Sequence, residues 1–461
     1  MPQNKPTFTK IDDASVPIFR CEQGEYLVYY APGYLAVVDP QLEQSVANED
    51  LSAIQSLKPI FTELYQHAHI AVEAWRAISL QPFTPLCLTL YLHNECNLHC
   101  TYCFADPSHK PAPRLSLAAV KSSARLVLSH CQAQDRPFTL VCHGGGEPTL
   151  HQQLLTQVLE IVTRLAKNSQ IPLMRYIATN GVISATKAHW LAQNFDLIGL
   201  SCDGPPDIQN EQRPLQGGGS SSDYVKRTAR ILHTDRTPFD VRTTVTGNTA
   251  DRQPEIADYI CRELRPREIQ VEPVYSGGRV KVNAEKVTAT RFIDSFLKAR
   301  QIAEQHGIPW RMSGSRPEMI HGPYCNQFRH VVNVIPGGVA TACFKATRAT
   351  TVQQAGIQIG AHNETDDCFY MDMAAINDLT GKLHPILNFC QDCFNQYHCV
   401  RGCPDHCPLD AIYDPGDSFR CQINRQLTET YLQETAVSLW QKARLHGGIA
   451  GQKMGINNDR A

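Results

Sequence analysis

The alternation of strand-like and helix-like segments between residues 87 and 273 most constrains the fold of this chain. Six short apolar segments have the composition of strands, and they begin at Cys87, Phe138, Leu173, Asp196, Asp240 and Glu268. Amphipathic stretches separate them, for example Leu117–His130, Leu150–Lys167 and Tyr224–His233. Repeated strand–helix units favour a parallel sheet, and the span is shorter than the roughly 250 residues of a complete eight-fold barrel. We therefore predict an α/β fold built on an open six-stranded (β/α)6 partial TIM barrel.

The regions on either side of this span have different patterns. Residues 17–40 have the spacing of three short strands and residues 41–80 have helical spacing, which suits either a winged-helix-type peptide-docking module or a plain extension. Beyond about residue 310 the alternation of strand-like and helix-like segments ends and cysteines become frequent. We therefore expect little regular structure there and stabilisation by bound metal. The predicted domains are a small N-terminal α+β extension at 1–82, the partial barrel at 83–310, a cysteine-rich domain at 311–430, and a C-terminal helix and tail at 431–461.

Charge and composition exclude several classes of partner. The chain has 43 basic and 45 acidic residues, so its net charge of −2 gives no general attraction to nucleic acid or to an anionic membrane. No apolar run approaches the roughly 20 residues that span a bilayer, and the first 30 residues lack the pattern of an export signal. We expect a soluble, cytoplasmic protein in which metal binding, rather than disulfide formation, explains the abundance of cysteine, with 18 residues.

A cysteine-rich loop directly follows the first predicted barrel strand. In HNECNLHCTYCFA, Cys96, Cys100 and Cys103 have the spacing C-x3-C-x2-C. A structural zinc site normally takes four ligands, and this loop has no fourth cysteine or suitably spaced histidine. Three thiolates fit a [4Fe–4S] cluster that leaves one iron open to an exogenous ligand. An open coordination position indicates that the cluster takes part in a reaction rather than only stabilising the fold.

This loop resembles the signature of the radical S-adenosylmethionine enzymes, which have an aromatic residue, here Tyr102, before the last cysteine. The resemblance implies that S-adenosylmethionine chelates the open iron through its amino and carboxylate groups. It further implies that an electron from the cluster cleaves the S–C5′ bond, and that the resulting 5′-deoxyadenosyl radical takes a hydrogen atom from the substrate.

Three further motifs follow successive predicted strands in the order of that family. They are Gly145-Gly146-Glu147-Pro148, Thr179-Asn180-Gly181, and S-x-DGP from Ser201, with Arg213 ten residues beyond the Asp. The resemblance implies that the backbone of the first motif binds the amino group of S-adenosylmethionine, and that Ser201 and Arg213 contact its carboxylate. The candidate cofactor-binding residues are Tyr102, Gly145, Gly146, Glu147, Thr179, Ser201 and Arg213. Glu272-Pro273 also fits the family pattern, whereas Cys142 and Cys202 read as small buried hydrophobic residues.

The later cysteines closely resemble the seven-cysteine pattern of the SPASM domain, an extension of peptide-modifying radical enzymes. All seven positions of the pattern are filled, by Cys325, Cys343, Cys390, Cys393, Cys399, Cys403 and Cys421. The resemblance implies two auxiliary [4Fe–4S] clusters, the near one on Cys325, Cys343 and Cys403 and the far one on Cys390, Cys393, Cys399 and Cys421. Three clusters are therefore expected in total. Taken alone, the C-x2-C pair would equally suit zinc.

The fourth ligand of the near auxiliary cluster is open between Cys368, His330 and an iron that is free to bind substrate. Cys407 reads as a spare thiol.

The same resemblance implies a peptide or protein substrate and an oxidative reaction. We expect a maturase that modifies a ribosomally made precursor peptide by forming a crosslink or a thioether or by rearranging the backbone, with an external electron donor such as flavodoxin or ferredoxin. Anaerobic sulfatase maturation is the second hypothesis. Characteristic members of that group have an aspartate base after the G-x4-C cysteine, where this chain has Phe344, which cannot accept a proton. A non-catalytic iron–sulfur peptide-binding scaffold is the third.

Overall fold

The computed structural model describes residues 8–11, 16–107, 112–274, 279, 288–321, 329–399 and 419–455. The chain forms two compact units, each built from separate stretches of sequence. One unit comprises residues 1–81, 314–325 and 382–461, and the other comprises residues 82–313 and 326–381. We call them the N-terminal unit and the barrel unit. The domain boundaries near residues 82, 310 and 430 stay predictions.

Sixteen strands occur in the described residues. In chain order they are β1 (Thr9–Lys10), β2 (Phe19–Glu22), β3 (Leu27–Ala31), β4 (Tyr34–Val38), β5 (Cys87–Leu90), β6 (Phe138–Cys142), β7 (Leu173–Thr179), β8 (Leu197–Ser201), β9 (Phe239–Val245), β10 (Ile269–Pro273), β11 (Trp310–Met312), β12 (Val331–Ile335), β13 (Val339–Thr341), β14 (Gln358–Asn363), β15 (Cys368–Met371) and β16 (Ile449–Lys453).

The same described residues form twelve α-helices. They are α1 (Pro40–Ala47), α2 (Leu51–Leu80), α3 (Leu117–Gln134), α4 (Gln152–Asn168), α5 (Ala185–Asn194), α6 (Pro206–Gln212), α7 (Ser222–Thr234), α8 (Gln253–Tyr259), α9 (Ala289–Gln305), α10 (Ala349–Gln354), α11 (Met373–Phe389) and α12 (Phe419–Ala443). Within the described residues, none of these helices is both long enough and apolar enough to cross a bilayer.

The barrel unit contains a sheet whose central strands, β5 to β10, lie side by side in sequence order and run parallel. On one face of these strands Leu140, Ile177, Val241 and Val271 are fully buried. Each parallel pair requires a crossover connection, and helices α3 to α8 lie on those connections. The α/β class and the six predicted strands are confirmed, while closure of the sheet into a partial barrel stays a prediction.

Local sequence explains why the crossover helices form. The hydroxyl of Ser116 accepts a hydrogen bond from the N–H of Ala119 at 3.2 Å and so caps the first turn of α3. Helix α4 buries Leu155, Val158, Leu159 and Val162, whose spacing of three or four residues forms one apolar stripe. This stripe is the buried side of the helix.

The parallel sheet extends beyond the six predicted strands. Strand β12 pairs in parallel with β5, and β13, β14 and β15 continue the sheet in antiparallel order. The expectation of little regular structure beyond residue 310 is therefore wrong for residues 331–389. The sequence VVNVI of β12 supplies β-branched residues, and its register is set by strand β5, about 240 residues earlier.

The N-terminal unit is a five-stranded antiparallel sheet in the order β1-β2-β3-β4-β16, with an apolar layer on each face. One layer joins Val28, Tyr30 and Leu35 to α12, and the other joins Tyr29 and Ala36 to α2. Strands β3 and β4 are buried throughout because both of their faces are covered. The three predicted strands are confirmed as β2, β3 and β4.

Candidate functional site

The cysteine loop after β5 is held by backbone hydrogen bonds to the end of α6 and to the segment that follows it. Backbone N–H groups of His99 and Thr101 donate to the carbonyls of Pro214 and Gln212, at 2.9 and 3.0 Å. The N–H of Gln216 donates back to the carbonyl of Asn97 at 2.9 Å. This ladder fixes the backbone of the loop without using any of its thiols.

All three thiols of the loop, on Cys96, Cys100 and Cys103, are half-buried. Burial raises the pKa of Cys96 to about 12 and that of Cys100 to about 11, although the positive charge of Arg213 opposes the shift at Cys100. Thiols with such pKa values stay protonated at neutral pH unless a bound cation stabilises the thiolate. Binding of metal to this loop would therefore release protons.

The glycine-rich turn after β6 packs directly against the start of the cysteine loop. Gly144 and Gly145 have φ values of +80° and +69°, a region that favours glycine. A Cβ on Gly145 would overlap the side-chain oxygen of Asn94, and a Cβ on Gly146 would overlap the carbonyl of Glu95. The N–H of Glu147 donates to the same Glu95 carbonyl at 2.8 Å. Glycine is therefore required here for packing against the loop as well as for turn geometry.

Glu147 is buried, and its carboxylate is saturated by hydrogen bonds from two turns. One oxygen accepts from the N–H and hydroxyl of Thr149 and from the hydroxyl of Thr179, and the other accepts from the N–H of Asn180 at 2.7 Å. Burial raises the pKa of Glu147, and these donors oppose the shift. The side chain joins the turns after β6 and β7, whereas the family resemblance implies a cofactor contact.

The amide of Asn180 extends this connection to the cysteine loop. Its nitrogen donates to the side-chain oxygen of Asn97 at 2.8 Å and approaches the sulfur of Cys96 at 3.8 Å. The nitrogen of Asn97 in turn donates to the carbonyl of Val182 at 2.8 Å. Glu147 and Asn180 thus connect the three turns that carry Cys96, Gly146 and Thr179.

Asp203 organises the other side of the loop from a fully buried position. One carboxylate oxygen lies 2.6 Å from the hydroxyl of Tyr102, 2.9 Å from the amide nitrogen of Gln212 and 3.0 Å from Nε of Arg213. The guanidinium also lies over the ring of Tyr102, 5.3 Å from its centroid. Burial alone would lower the pKa of Arg213, but the charge of Asp203 holds that pKa well above its usual value. Tyr102 and Arg213 are therefore brought together, and Arg213 stays charged beside Cys100.

Ser201 ends strand β8 on the opposite face from the buried apolar layer. It is half-buried, and its register partner on β9 is Arg242. Thr179, by contrast, is buried, and its hydroxyl bonds to Glu147.

Sequence analysis missed a group of three residues beside the loop, His93, Glu95 and His151. Their nearest metal-ligating atoms lie within 4.8 Å of one another. Nδ1 of His93 already accepts the N–H of Glu95 at 3.1 Å, and Nε2 of His151 lies 3.1 Å from the Glu95 carboxylate. Burial lowers the pKa of His93 to about 4, and the neighbouring His151 adds to that shift. The ring of His93 is neutral and its Nδ1 already accepts a hydrogen bond. It is therefore better suited to positioning the loop than to binding metal.

Phe344 lies against an aromatic group rather than a polar one. Its ring meets that of Phe104 edge to face, with centroids 5.7 Å apart, and its carbonyl accepts a hydrogen bond from the hydroxyl of Tyr91. Phe344 is 39% exposed, so its ring is accessible. The resemblance implies an aspartate base at this position in sulfatase maturases, whereas this chain has an apolar side chain there.

Four later cysteines, all in the N-terminal unit, lie close enough to influence one another. Cys390, Cys393, Cys399 and Cys421 are half-buried, and burial raises the pKa of Cys421 to about 12, with the charges of the other three adding to the shift. The amide of Asn424 donates to the sulfur of Cys399 at 3.3 Å. The structure thus gathers the four residues predicted to hold the far auxiliary cluster.

The residues predicted to hold the near auxiliary cluster are only partly described. Cys325 and Cys403 lie outside the described residues, as does Cys407. Cys343 is half-buried after β13, Cys368 is exposed at the start of β15, and Nδ1 of His330 lies 3.3 Å from the carbonyl of Thr84. The ligand set of this cluster stays a prediction.

The buried residues Cys142 and Cys202 fit the prediction of small apolar side chains. Glu272 and Pro273 end strand β10, as the pattern predicts.

Comparisons with known proteins agree with this arrangement. Residues 86–226 match the family described as a 4Fe-4S single cluster domain. The cysteine-type anaerobic sulfatase-maturating enzyme of Clostridium perfringens is 29% identical over 174 residues, which cover 36% of this chain and 45% of that protein. The serine-type enzyme of Klebsiella aerogenes is 24% identical over 184 residues, which cover 40% and 45%. The chain therefore spans about half the length of the curated relatives that it matches.

Solved structures show where the fold has been seen before. The structure of native anSMEcpe with bound AdoMet matches with a TM-score of 0.58 and 20% identity, over 77% of this chain and 100% of that chain. The complex of the same protein with AdoMet and the Cp18Cys peptide matches with a TM-score of 0.59. The comparisons confirm the resemblance drawn from the sequence: this chain is similar to iron–sulfur enzymes of the radical S-adenosylmethionine type, with the anaerobic sulfatase-maturating enzymes among its relatives.

Proposed function

We propose that this chain is a radical S-adenosylmethionine maturase that oxidatively modifies a ribosomally made precursor peptide. The observation that carries the proposal is the cysteine loop, whose three half-buried thiols are fixed on one side by Glu147 and on the other by Asp203. Relatives of the sulfatase-maturating type support an oxidative reaction on a peptide or protein.

The residues around the loop fit the groups that this function requires. Cys96, Cys100 and Cys103 supply three soft ligands, which suit a [4Fe–4S] cluster with one open iron. Gly145 and Gly146 bring their backbone directly against the cysteine loop, where a side chain would not fit, and Arg213 supplies a cation suited to a carboxylate. We propose that these groups, with Ser201, hold S-adenosylmethionine.

When both are bound, the cluster and S-adenosylmethionine supply the one-electron chemistry that removes a hydrogen atom from the substrate. The residues of this chain bind and orient the reactants. The charge of Arg213 is balanced by Asp203, so the cation remains beside the loop without an uncompensated buried charge. The ring of Phe344, which packs against Phe104, is apolar and cannot accept a proton.

The apolar position of Phe344 ranks precursor-peptide modification ahead of sulfatase maturation. Formylglycine formation needs a base to deprotonate an intermediate, and Phe344 and Phe104 offer none at this position. The relatives keep sulfatase maturation as the second candidate.

Anaerobic reconstitution followed by dithionite reduction tests the catalytic part of the proposal. We expect cleavage of S-adenosylmethionine to 5′-deoxyadenosine and about twelve iron atoms per chain, from three clusters. Replacing Cys96, Cys100 and Cys103 with Ala should remove about four of these irons and abolish cleavage. The matched control is Cys261→Ala, which removes a buried thiol outside the proposed ligand sets. Bound zinc, or an unchanged iron content in the triple variant, would refute the proposal.

Co-expression tests the substrate part. The chain is expressed with the precursor peptide encoded beside its gene, and mass spectrometry reads the mass change and the modified residue. A parallel reaction with sulfatase-derived peptides that contain cysteine or serine tests the second candidate. Modification of the sulfatase peptides alone would favour it.

The proposal includes partners and a location that follow from the chemistry. A flavodoxin or ferredoxin would supply electrons to the clusters, and two auxiliary clusters would receive the electron lost by the substrate. Oxygen-sensitive clusters and reduced thiols suit the cytoplasm.

A further inference from the structure

A polar face lies opposite the buried apolar layer of the parallel sheet. Along β9 burial alternates, with Val241 and Thr243 buried and Asp240, Arg242 and Thr244 half-buried. Neighbouring residues in register share a face of a sheet, and Arg242 pairs with Ser201 on β8 and with Gln270 on β10. We call this set the Arg242 face.

Two further side chains border the Arg242 face. A Cβ on Gly199 would overlap the hydroxyl of Tyr176, so the tyrosine extends over β8 on the side where Gly199 has no side chain. His143 follows the carboxyl end of β6 and lies near enough for the charge of Arg242 to affect it. Burial is the main cause that lowers the pKa of His143 to about 3, so the ring is neutral at neutral pH.

The charge of Arg242 is unpaired among the residues that the structure describes. Within the described part of the chain, no hydrogen bond or ion pair reaches its guanidinium, and its Nε is buried. The acid nearest in sequence, Asp240, is already bound by Arg267 through two hydrogen bonds of 2.9 Å. An unpaired cation in a partly desolvated position costs free energy unless an anionic ligand pairs with it.

The groups around Arg242 favour an anionic ligand. Its guanidinium offers a planar fork of N–H donors that matches both oxygens of a carboxylate. The hydroxyls of Ser201 and Tyr176 add two potential donors on the same side of the sheet. Glu272 is the competing acid, because it pairs in register with Thr244, next along β10, and one of its oxygens is buried without a partner. No ion pair joins it to Arg242 within the described residues.

We propose that Arg242 binds a carboxylate of the peptide substrate, from an aspartate or glutamate side chain, on the face of the sheet that carries Ser201. This inference rests on the proposed function, because it names the chemistry of the peptide that the maturase would accept. Arg242 is assigned to substrate binding, whereas Arg213 is assigned to the cofactor.

The test uses the reconstituted holoenzyme and the precursor peptide from the co-expression experiment. Each aspartate and glutamate of the peptide is replaced in turn by asparagine or glutamine, and the KM of each peptide is measured by product formation. One replacement should raise KM about 10- to 100-fold, as expected for the loss of a charge-assisted hydrogen bond. Arg242→Gln should raise the KM of the unaltered peptide similarly and should abolish discrimination between the acidic and amidated peptides.

Control variants separate this role from a structural one. Arg164→Gln removes a charge of the same sign from an exposed position of α4, and it should leave both KM values unchanged. Arg242→Lys keeps the positive charge but not the planar fork of N–H donors. It should therefore retain part of the discrimination that Arg242→Gln loses. Iron content and the affinity for S-adenosylmethionine, measured for Arg242→Gln, report whether the cluster loop is intact.

Each remaining outcome overturns the inference in a distinguishable way. Equal KM values for all peptides would show that the enzyme binds no carboxylate side chain of the peptide. Loss of affinity for S-adenosylmethionine in Arg242→Gln would assign the guanidinium to the cofactor. Recovery of normal kinetics in the double variant Arg242→Gln with Glu272→Gln would reveal an internal charge pair. Failure of the unaltered enzyme to modify any peptide would refute the proposed function, and this inference with it.

Discussion

The carboxylate of Glu147 accepts the backbone N–H of Asn180 at 2.7 Å, which joins the turn after β6 to the turn after β7. Because Asn180 also contacts Asn97 and approaches Cys96, this single hydrogen bond links the glycine-rich turn to the cysteine loop. The geometry of the candidate site therefore depends on a side chain that is almost completely buried.

Replacing Glu147 with Gln tests this dependence. The substitution keeps the shape of the side chain but turns one acceptor into a donor, which then faces N–H or O–H groups of Thr149, Thr179 or Asn180. We expect unfolding free energy to fall by about 3 kcal/mol and the cysteine loop to retain less iron. Urea unfolding and iron analysis measure both. Glu160→Gln, at an exposed position of α4, is the control and should change neither.

Asp203→Asn should disrupt the other side of the loop. The variant leaves the charge of Arg213 buried without compensation beside Cys100, so we expect a loss of about 3 to 5 kcal/mol in unfolding free energy. The surface ion pair of Asp207 with Arg252 provides a contrast, because Asp207→Asn should cost no more than about 1 kcal/mol. Equal losses in the two variants would show that Asp203 has no special structural role.

The sequence predicts the elements that carry the site because their signals are local. Strands β5 to β10 are short apolar segments, and Cys96, Cys100 and Cys103 follow the first of them at a spacing that can be read directly. Parallel strands then bring their carboxyl ends to one edge of the sheet, so the position of the motifs follows from the fold.

The remaining features depend on contacts between distant residues. Strand β16 has the sequence IAGQK, which gives no strand signal, yet it pairs with β4 from about 410 residues away. Asp203 reads as a turn residue, but its role comes from Tyr102 and Arg213, which other elements bring to it. No local pattern reveals such partners, since a carboxylate on a turn looks the same whether or not donors converge on it.

Gly146→Ala tests whether the glycine-rich turn requires close packing. A Cβ at this position would overlap the carbonyl of Glu95, and neither backbone can yield without moving the cysteine loop. We expect loss of iron from the loop and of S-adenosylmethionine binding, read by absorbance and equilibrium dialysis. The control is Gly307→Ala, which makes the same chemical change. Gly307 has a φ of +69° and open space around it, so this variant should lose only about 1 kcal/mol of unfolding free energy. A Gly146→Ala variant with full iron content would contradict the packing argument.

His93 predicts how stability depends on pH. It is buried and its Nδ1 accepts the N–H of Glu95, and burial lowers its pKa to about 4 from 6.5. Since the unfolded chain binds the proton more tightly, the contribution of His93 is fully present above pH 6.5 and is lost as pH falls toward 4. Between pH 7 and pH 5 this amounts to about 2 kcal/mol of unfolding free energy. In His93→Asn an oxygen can still accept the N–H of Glu95, but the residue cannot titrate. Urea unfolding of both proteins at these two pH values should therefore show a smaller decrease in the variant, whereas equal decreases would show that His93 is not held neutral by the fold.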